Sequence, residues 1–202
     1  MAHRDFNPRV VVLAGPNGAG KTTSADEILR GPLVVGEFVN ADLIARGLSG
    51  ISEAQAPITA GRMMLVRLRE LAARRQSFGF ETTLASRSFA PWLSRLLVDG
   101  YEFHLVFLWL PTPETAIARV VERVRRGGHD VAEAIIRRRY HAGLKNLFDI
   151  YLPLATNWQV IHNGSHTPRL IAEGRALVER VCDATTWATI KKSAGYEERS
   201  ER

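Results

Sequence analysis

The stretch Gly15-Pro16-Asn17-Gly18-Ala19-Gly20-Lys21-Thr22-Thr23 constrains this chain more than any other. Its order of Gly, four residues, Gly, Lys and Thr is that of a phosphate-binding loop. Glycines let the backbone curl and turn its N–H groups onto an anion, and the helix that follows aims its positive end at the same point. The context agrees: an apolar run, residues 10–14, precedes the loop and a helical segment, 24–30, follows it. All nine loop residues are candidates for cradling ATP. Lys21 is expected to reach the β- and γ-phosphates, and the Thr22 hydroxyl to bind Mg²⁺.

Beyond the loop, apolar runs and helical spacings alternate. Strands are predicted at residues 10–14, 34–39, 77–82, 104–110 and 158–162. Helices are predicted at 52–75, where Met64, Leu65, Leu68, Leu71 and Ala72 form the apolar face, and at 89–97, stopped by Gly100. Thr112-Pro113 opens a further helix that runs to Gly127-Gly128; another covers 132–149, and a last one runs from Thr167-Pro168 through 180. The alternation predicts a three-layer α/β P-loop NTPase fold like that of nucleoside-monophosphate kinases, with a mainly parallel five-stranded sheet. One domain is expected over 1–187, followed by a polar, frayed tail at 188–202.

In such a sheet ligands gather beyond the carboxyl ends of the strands. Asn40 and Asp42 follow the second strand, Glu81, Thr82 and Thr83 end the third, and Asn163-Gly164 follow the last. Asp42 suits a base that takes the proton of an attacking substrate hydroxyl. It could instead hold Mg²⁺ through water, or cap the helix at 43–48. Glu81 is unusual in a central strand; it could bind substrate hydroxyls or metal-bound water, or pair with an arginine.

The basic residues are concentrated. The net charge is +6, and only four of the 27 basic residues are lysine. Seven arginines, Arg119, Arg123, Arg125, Arg126, Arg137, Arg138 and Arg139, fall in two helices joined by Gly127-Gly128-His129. This is the pattern of a lid, at 119–140, whose guanidinium groups neutralise a transferring phosphoryl group, against the alternative of a solvated basic face. Because the arginines gather there, and not with aromatics on an open sheet, nucleic acid is not the expected partner.

Two look-alikes fail. Residues 48–55, LSGISEAQ, resemble a transporter-ATPase signature but lie too close to the loop. Leu96-Leu97-Val98-Asp99 mimics a strand with a metal-binding acid, but its spacing with Trp92 and Leu93 makes it a helix end. The single cysteine, Cys182, falls at an apolar helical position, as a buried, inert thiol would, and excludes an internal disulfide. No apolar run has the length of a membrane span, and the first eight residues are too polar for a leader, so a cytoplasmic location is expected.

With these motifs in hand, the chain resembles the zeta-toxin family of P-loop kinases, and in particular its short stand-alone members. The matching pieces are GPNGAGKTT at 15–23, FVNAD at 38–42, FETTL at 80–84, HLVFLWLPTPETAIARVVERVRRGGHDV at 104–131, IIRRRY at 135–140 and LPLATNWQVIHNG at 152–164. The resemblance implies an ATP-dependent kinase acting on the sugar hydroxyl of UDP-N-acetylglucosamine, held in check by a small antitoxin protein. It implies Lys21 as the loop lysine and Asp42 as the catalytic aspartate. It also implies phosphate-contacting arginines among Arg123 or Arg126 and Arg138 or Arg139, Glu81 at the substrate, and Asn163 beside the adenine. The chain is shorter than the toxins, with little room for the helices that shape their sugar pocket. The rival expectations are a nucleic-acid-associated NTPase and a nucleotide-binding protein without transfer activity.

Overall fold

The computed structural model describes residues 7–31, 33–48, 55–165, 167–175 and 178–196. In chain order the elements are β1 (Arg9–Ala14), α1 (Lys21–Arg30), β2 (Glu37–Val39), α2 (Ala41–Gly47), α3 (Ala56–Ala73), β3 (Phe78–Thr82), α4 (Ala90–Val98), β4 (Glu102–Trp109), α5 (Pro113–Arg125) and α6 (Glu133–Asn146). A π-helical turn (Leu147–Tyr151), the short α7 (Leu152–Leu154), β5 (Asn157–His162), β6 (Arg169–Arg175), β7 (Val178–Val181) and α8 (Ala184–Ser193) complete them. The look-alike at 48–55 and the start of the helix expected from residue 52 fall largely outside the described residues.

The sheet has the order β2-β3-β1-β4-β5-β6-β7. Its first five strands are parallel. β1 is central and its five residues from Val10 to Ala14 are fully buried, which is why they carry no polar alternation. The step from β1 to β2 runs one way across the sheet, and the steps to β3, β4 and β5 run the other. Right-handed crossovers therefore put α1 on one face and α3, α4 and α6 on the opposite one. On that second face the register aligns Phe78 and Phe103 through Val10, and Trp158 with Leu105, with α4 packed through Trp92 and α8 through Trp187.

The C-terminal third departs from the sequence expectation. In place of a helix through residue 180, the chain forms an antiparallel hairpin, so the sheet has seven strands and not five. Thr167-Pro168 reads as a helix start, but the segment after it pairs with β5, and a bulge at Ile171 of β6, opposite Val160 and Ile161, brings Ile171 and Ala172, neighbours in sequence, both into the interior. Gly174 has no side chain because a Cβ there would lie 2.3 Å from the Trp158 indole. The expected tail is, up to Ser193, the helix α8, capped by Asp183 and anchored by buried Trp187 and Ile190. Cys182 is exposed just past β7, neither helical nor buried. Among the described residues no helix follows β5 on the α1 side, and the sheet face there is open. A cavity of about 630 Å³ lies on it, lined by Glu102, His104, Gln159, Glu173 and Arg180 at the amino ends of the parallel strands.

Candidate active site

The loop between β1 and α1 is held in place by its neighbours. Gly15 has φ +141° and lies against β4, where a Cβ would come 2.3 Å from the Leu108 carbonyl oxygen. Gly18 has φ +76° and meets α5, where a Cβ would come 2.7 Å from the Ala116 carbonyl oxygen and 3.0 Å from Arg119 Cβ. Only glycine satisfies both the left-handed backbone and the close approach. Asn163 follows β5 and donates from Nδ2 to the Ala19 carbonyl at 2.7 Å. Its amide braces the loop from the side.

Lys21 opens α1 and is only 6 % exposed. Its Nζ donates to the carbonyls of Gly15 and Pro16, each at 2.9 Å, and lies 3.6 Å from Glu81 Oε1. Burial pushes its ammonium below the usual lysine range; the carboxylates of Glu81 and Asp42 pull it back up, and the Arg123 guanidinium lowers it further. Lys21, Glu81, Asp42 and Arg123 therefore share one electrostatic neighbourhood.

Glu81 is the centre of this neighbourhood. It ends β3, the strand beside β1, and its Oε2 accepts from Thr22 Oγ1 at 3.0 Å and from Asn40 Nδ2 at 2.7 Å. Asn40 is buried and makes two kinds of bond. Its Oδ1 accepts from the backbone N–H groups of Asp42 at 2.8 Å and Leu43 at 3.4 Å, capping α2, while its Nδ2 is shared between Glu81 and, at 3.5 Å, Thr22. The helix cap is thus Asn40 and not Asp42. Asp42, relieved of that duty, sits exposed in the first turn of α2. The Thr22 hydroxyl and the Glu81 carboxylate offer two hard oxygen ligands at one point beside the loop, a donor set that fits Mg²⁺. Among the described residues no group of three His, Cys, Asp or Glu side chains forms a metal cluster, so such an ion would rely on phosphate and water for its other ligands.

The lid arginines divide by their contacts. Arg123, on the loop side of α5, donates from Nη2 to the His129 carbonyl at 2.7 Å, and its buried Nε has no partner. Arg126 and Arg125 pair with Glu122 in solvent, and Arg137 ties α6 to α5 through Glu114 while pairing with Glu133 of its own helix. Arg138 is exposed and Arg139 half-buried, and neither has an ion-pair partner among the described residues. Three buried side-chain polar atoms lack partners among those residues: Asn17 Oδ1 in the loop, Arg123 Nε in the lid and Trp109 Nε1 at the carboxyl end of β4. Buried polar atoms are almost always paired, so these three are free to bond a ligand.

Thr82 and Thr83 shape the turn after β3: their hydroxyls accept from the backbone of Leu84 at 3.2 Å and Ala85 at 3.4 Å. This turn is clasped by α6 and the π-helical turn. Asn146 donates to the Leu84 carbonyl at 2.8 Å and accepts from Arg87 Nε at 3.0 Å; Tyr151 OH donates to the Ser86 carbonyl at 2.6 Å. Gly143 permits the approach, since a Cβ there would lie 2.5 Å from the Thr83 carbonyl oxygen. Higher up, Tyr140 OH donates to the Leu110 carbonyl at 2.8 Å, and burial pushes its phenol up to about 12. Sequence reasoning missed Asn146 and Arg87 as site-shaping residues, because nothing local distinguishes them.

Loop, lid and parallel sheet together define a kinase-like P-loop domain. A family model described as an AAA domain matches residues 10–145, and the chain belongs to that family. A Haemophilus influenzae protein described only as uncharacterized is 27% identical over 132 residues, 65% of this chain and 92% of its own length. Among solved structures, the AvrRxo1-ORF1:-ORF2 complex with ATP superposes with a TM-score of 0.73 at 16% identity, over 92% of this chain. The present chain spans 64% of the length of that neighbour. The PezAT chromosomal toxin-antitoxin system of Streptococcus pneumoniae superposes with a TM-score of 0.60 at 17% identity, over 84% of this chain and 72% of its own. The fold agrees with the resemblance to the zeta-toxin group read from the motifs.

Proposed function

We propose that this chain is an ATP-dependent kinase that moves the γ-phosphate of ATP onto a hydroxyl of a small molecule, with a nucleotide sugar such as UDP-N-acetylglucosamine as the acceptor. The observation that carries this reading is the gathering of Lys21, Thr22, Asn40, Asp42, Glu81 and Arg123 at one end of the sheet. The loop N–H groups and Lys21 would hold the β- and γ-phosphates, Lys21 leaving the Gly15 and Pro16 carbonyls to do so. Mg²⁺ held by Thr22 and Glu81 would neutralise charge on the same phosphates.

The exposed Asp42 carboxylate takes the proton of the acceptor hydroxyl as its oxygen bonds to the γ-phosphorus. The bond from that phosphorus to the β,γ-bridging oxygen breaks, and ADP leaves. Arg123, with Arg138 or Arg139 as the lid closes, stabilises the charge on the transferring group. Asn40 positions Asp42 by fixing the first turn of α2, and ties that turn to Glu81. Thr82, Thr83 and Asn40 border the acceptor side, and Asn163 the nucleotide side.

The solved complex named for toxin and antitoxin makes a small antitoxin protein a reasonable partner here as well. Nucleic acid is disfavoured because Arg67, Arg125, Arg126, Arg137, Arg169 and Arg180 are each occupied by a carboxylate. The test is transfer of label from γ-³²P-ATP to a panel of nucleotide sugars and other hydroxylated metabolites. A labelled ester is expected with at least one nucleotide sugar. Release of label only as inorganic phosphate would remove the kinase reading.

A further inference from the structure

The outer face of α3 is not that of an ordinary solvated helix. Ile58 is 61% exposed, Leu65 38%, Val66 55% and Met63 47%, and Leu43 on the adjoining α2 is also exposed. Single exposed apolar residues need no explanation, but a contiguous cluster does. Ile58, Arg62, Leu65 and Arg69 follow one another at spacings of four, three and four, which places them on one stripe of the helix, with Val66 at its side. Arg62 and Arg69 are both exposed, and neither meets a carboxylate among the described residues; the carboxylates of Glu37 and Glu70 are taken by Arg67 instead. Beside the stripe, between α3 and α4, a cavity of about 130 Å³ is lined by Leu65, Leu68, Arg69, Ser88, Phe89 and Trp92. That is close to the size of an apolar cavity of about 150 Å³ that accepts benzene.

We infer that this face is the docking site for an amphipathic helix of a partner protein, one with apolar residues at helical spacing flanked by carboxylates. The carboxylates would pair with Arg62 and Arg69, and one apolar side chain would enter the cavity against Trp92 and Phe89. Buried aromatic pockets of this kind anchor helix-in-groove recognition, with charge setting the choice of partner. A second copy of this chain is the wrong occupant. Packing α3 on α3 would bring the arginines of both copies together, on a molecule that already carries a net charge of +6. A flat anionic lipid surface would satisfy the arginines but leave the cavity unfilled. The inference does not rest on the kinase reading, since these residues lie outside the phosphate site.

The probe is a labelled synthetic helix of about 20 residues, long enough to be helical in water with side-chain staples, with leucines at i, i+4, i+7 and i+11 and glutamates on both flanks. Binding to the full chain is read by fluorescence anisotropy. Wild-type protein is expected to bind it at least tenfold tighter than a scrambled peptide of equal charge. The R62E/R69E variant, with an unchanged melting temperature, is expected to lose at least that factor and to recover it with a lysine-for-glutamate peptide. Trp92→Ala is expected to weaken binding of the acidic helix in its own right. Equal binding of the scrambled peptide, or no effect of R62E/R69E, would overturn the inference. So would binding of phosphatidylserine vesicles, lost in R62E/R69E, by a protein that ignores the peptide.

Discussion

Asn40 carries two duties on one amide, and substitution tests both. Its Oδ1 caps α2 and its Nδ2 holds Glu81 beside Thr22. Asn40→Ala loses both and is expected to lower stability by about 1 kcal/mol from the cap alone, more from the unpaired Glu81. Asn40→Asp keeps a good cap but sets a carboxylate against Glu81. It is expected to cost at least as much stability as Asn40→Ala despite the retained cap, and to lose most turnover, as thermal denaturation and steady-state kinetics would show. Lys21 gives a pH prediction. Burial depresses its folded-state pKa, so in the free protein it starts to lose its proton at a lower pH than an ordinary lysine. Phosphate oxygens favour the charged form and raise that pKa, so ATP binding at alkaline pH is expected to take up a proton, and affinity to fall as pH rises through the depressed pKa. Calorimetry of ATP binding in buffers of different ionisation enthalpy measures this uptake; its absence would mean that the lysine does not meet the phosphates.

The lid hairpin separates two classes of arginine on a single helix. Arg123 faces the loop and has an unpartnered Nε, whereas Arg126 is paired with Glu122 in solvent. Arg123→Ala is therefore expected to cost about 10³-fold in turnover and Arg126→Ala only a few-fold, as measured by ADP release under saturating ATP. Gly128 protects the first of these: a Cβ there would sit 2.5 Å from Arg123 Cγ and 2.8 Å from its carbonyl oxygen, so Gly128→Ala should displace Arg123 and mimic its loss. At this scale the sequence was informative where chemistry is local. The phosphate loop, Asp42 after β2, Glu81 near the end of β3 and the two lid helices are all written in contiguous residues. The choice between Arg123 and Arg126 depends on which side of the lid each faces, and the roles of Asn146 and Arg87 on contacts between elements far apart in the chain. The Arg87–Asn146 bond, for one, spans 59 positions and leaves no local spacing to read.

The molecule as a whole is closed by a region whose pattern points to the wrong element. In β7 every residue is exposed, so the alternation that identifies a half-buried strand is absent there, and the bulge at Ile171 interrupts it in β6. α8 then returns over the sheet, stacking Trp187 on Trp158 and tilting it against Phe148, and just beyond it Tyr196 bonds Asp149. The segment from 184 to 196 is therefore part of the core and not an appendage. Trp187→Ala is expected to cost about 3 kcal/mol or more, and ending the chain at Cys182 to prevent cooperative unfolding, both read by thermal denaturation. All of these parts bear on one arrangement, a triphosphate held by the loop with the Asp42 carboxylate poised for a hydroxyl. The most direct measurement compares wild type with Asp42→Asn for ATP affinity and for ³²P transfer to an accepted nucleotide sugar. The arrangement predicts ATP affinity unchanged within about threefold and transfer reduced by about 10³-fold or more; a parallel loss of both, or transfer that survives the substitution, would contradict it.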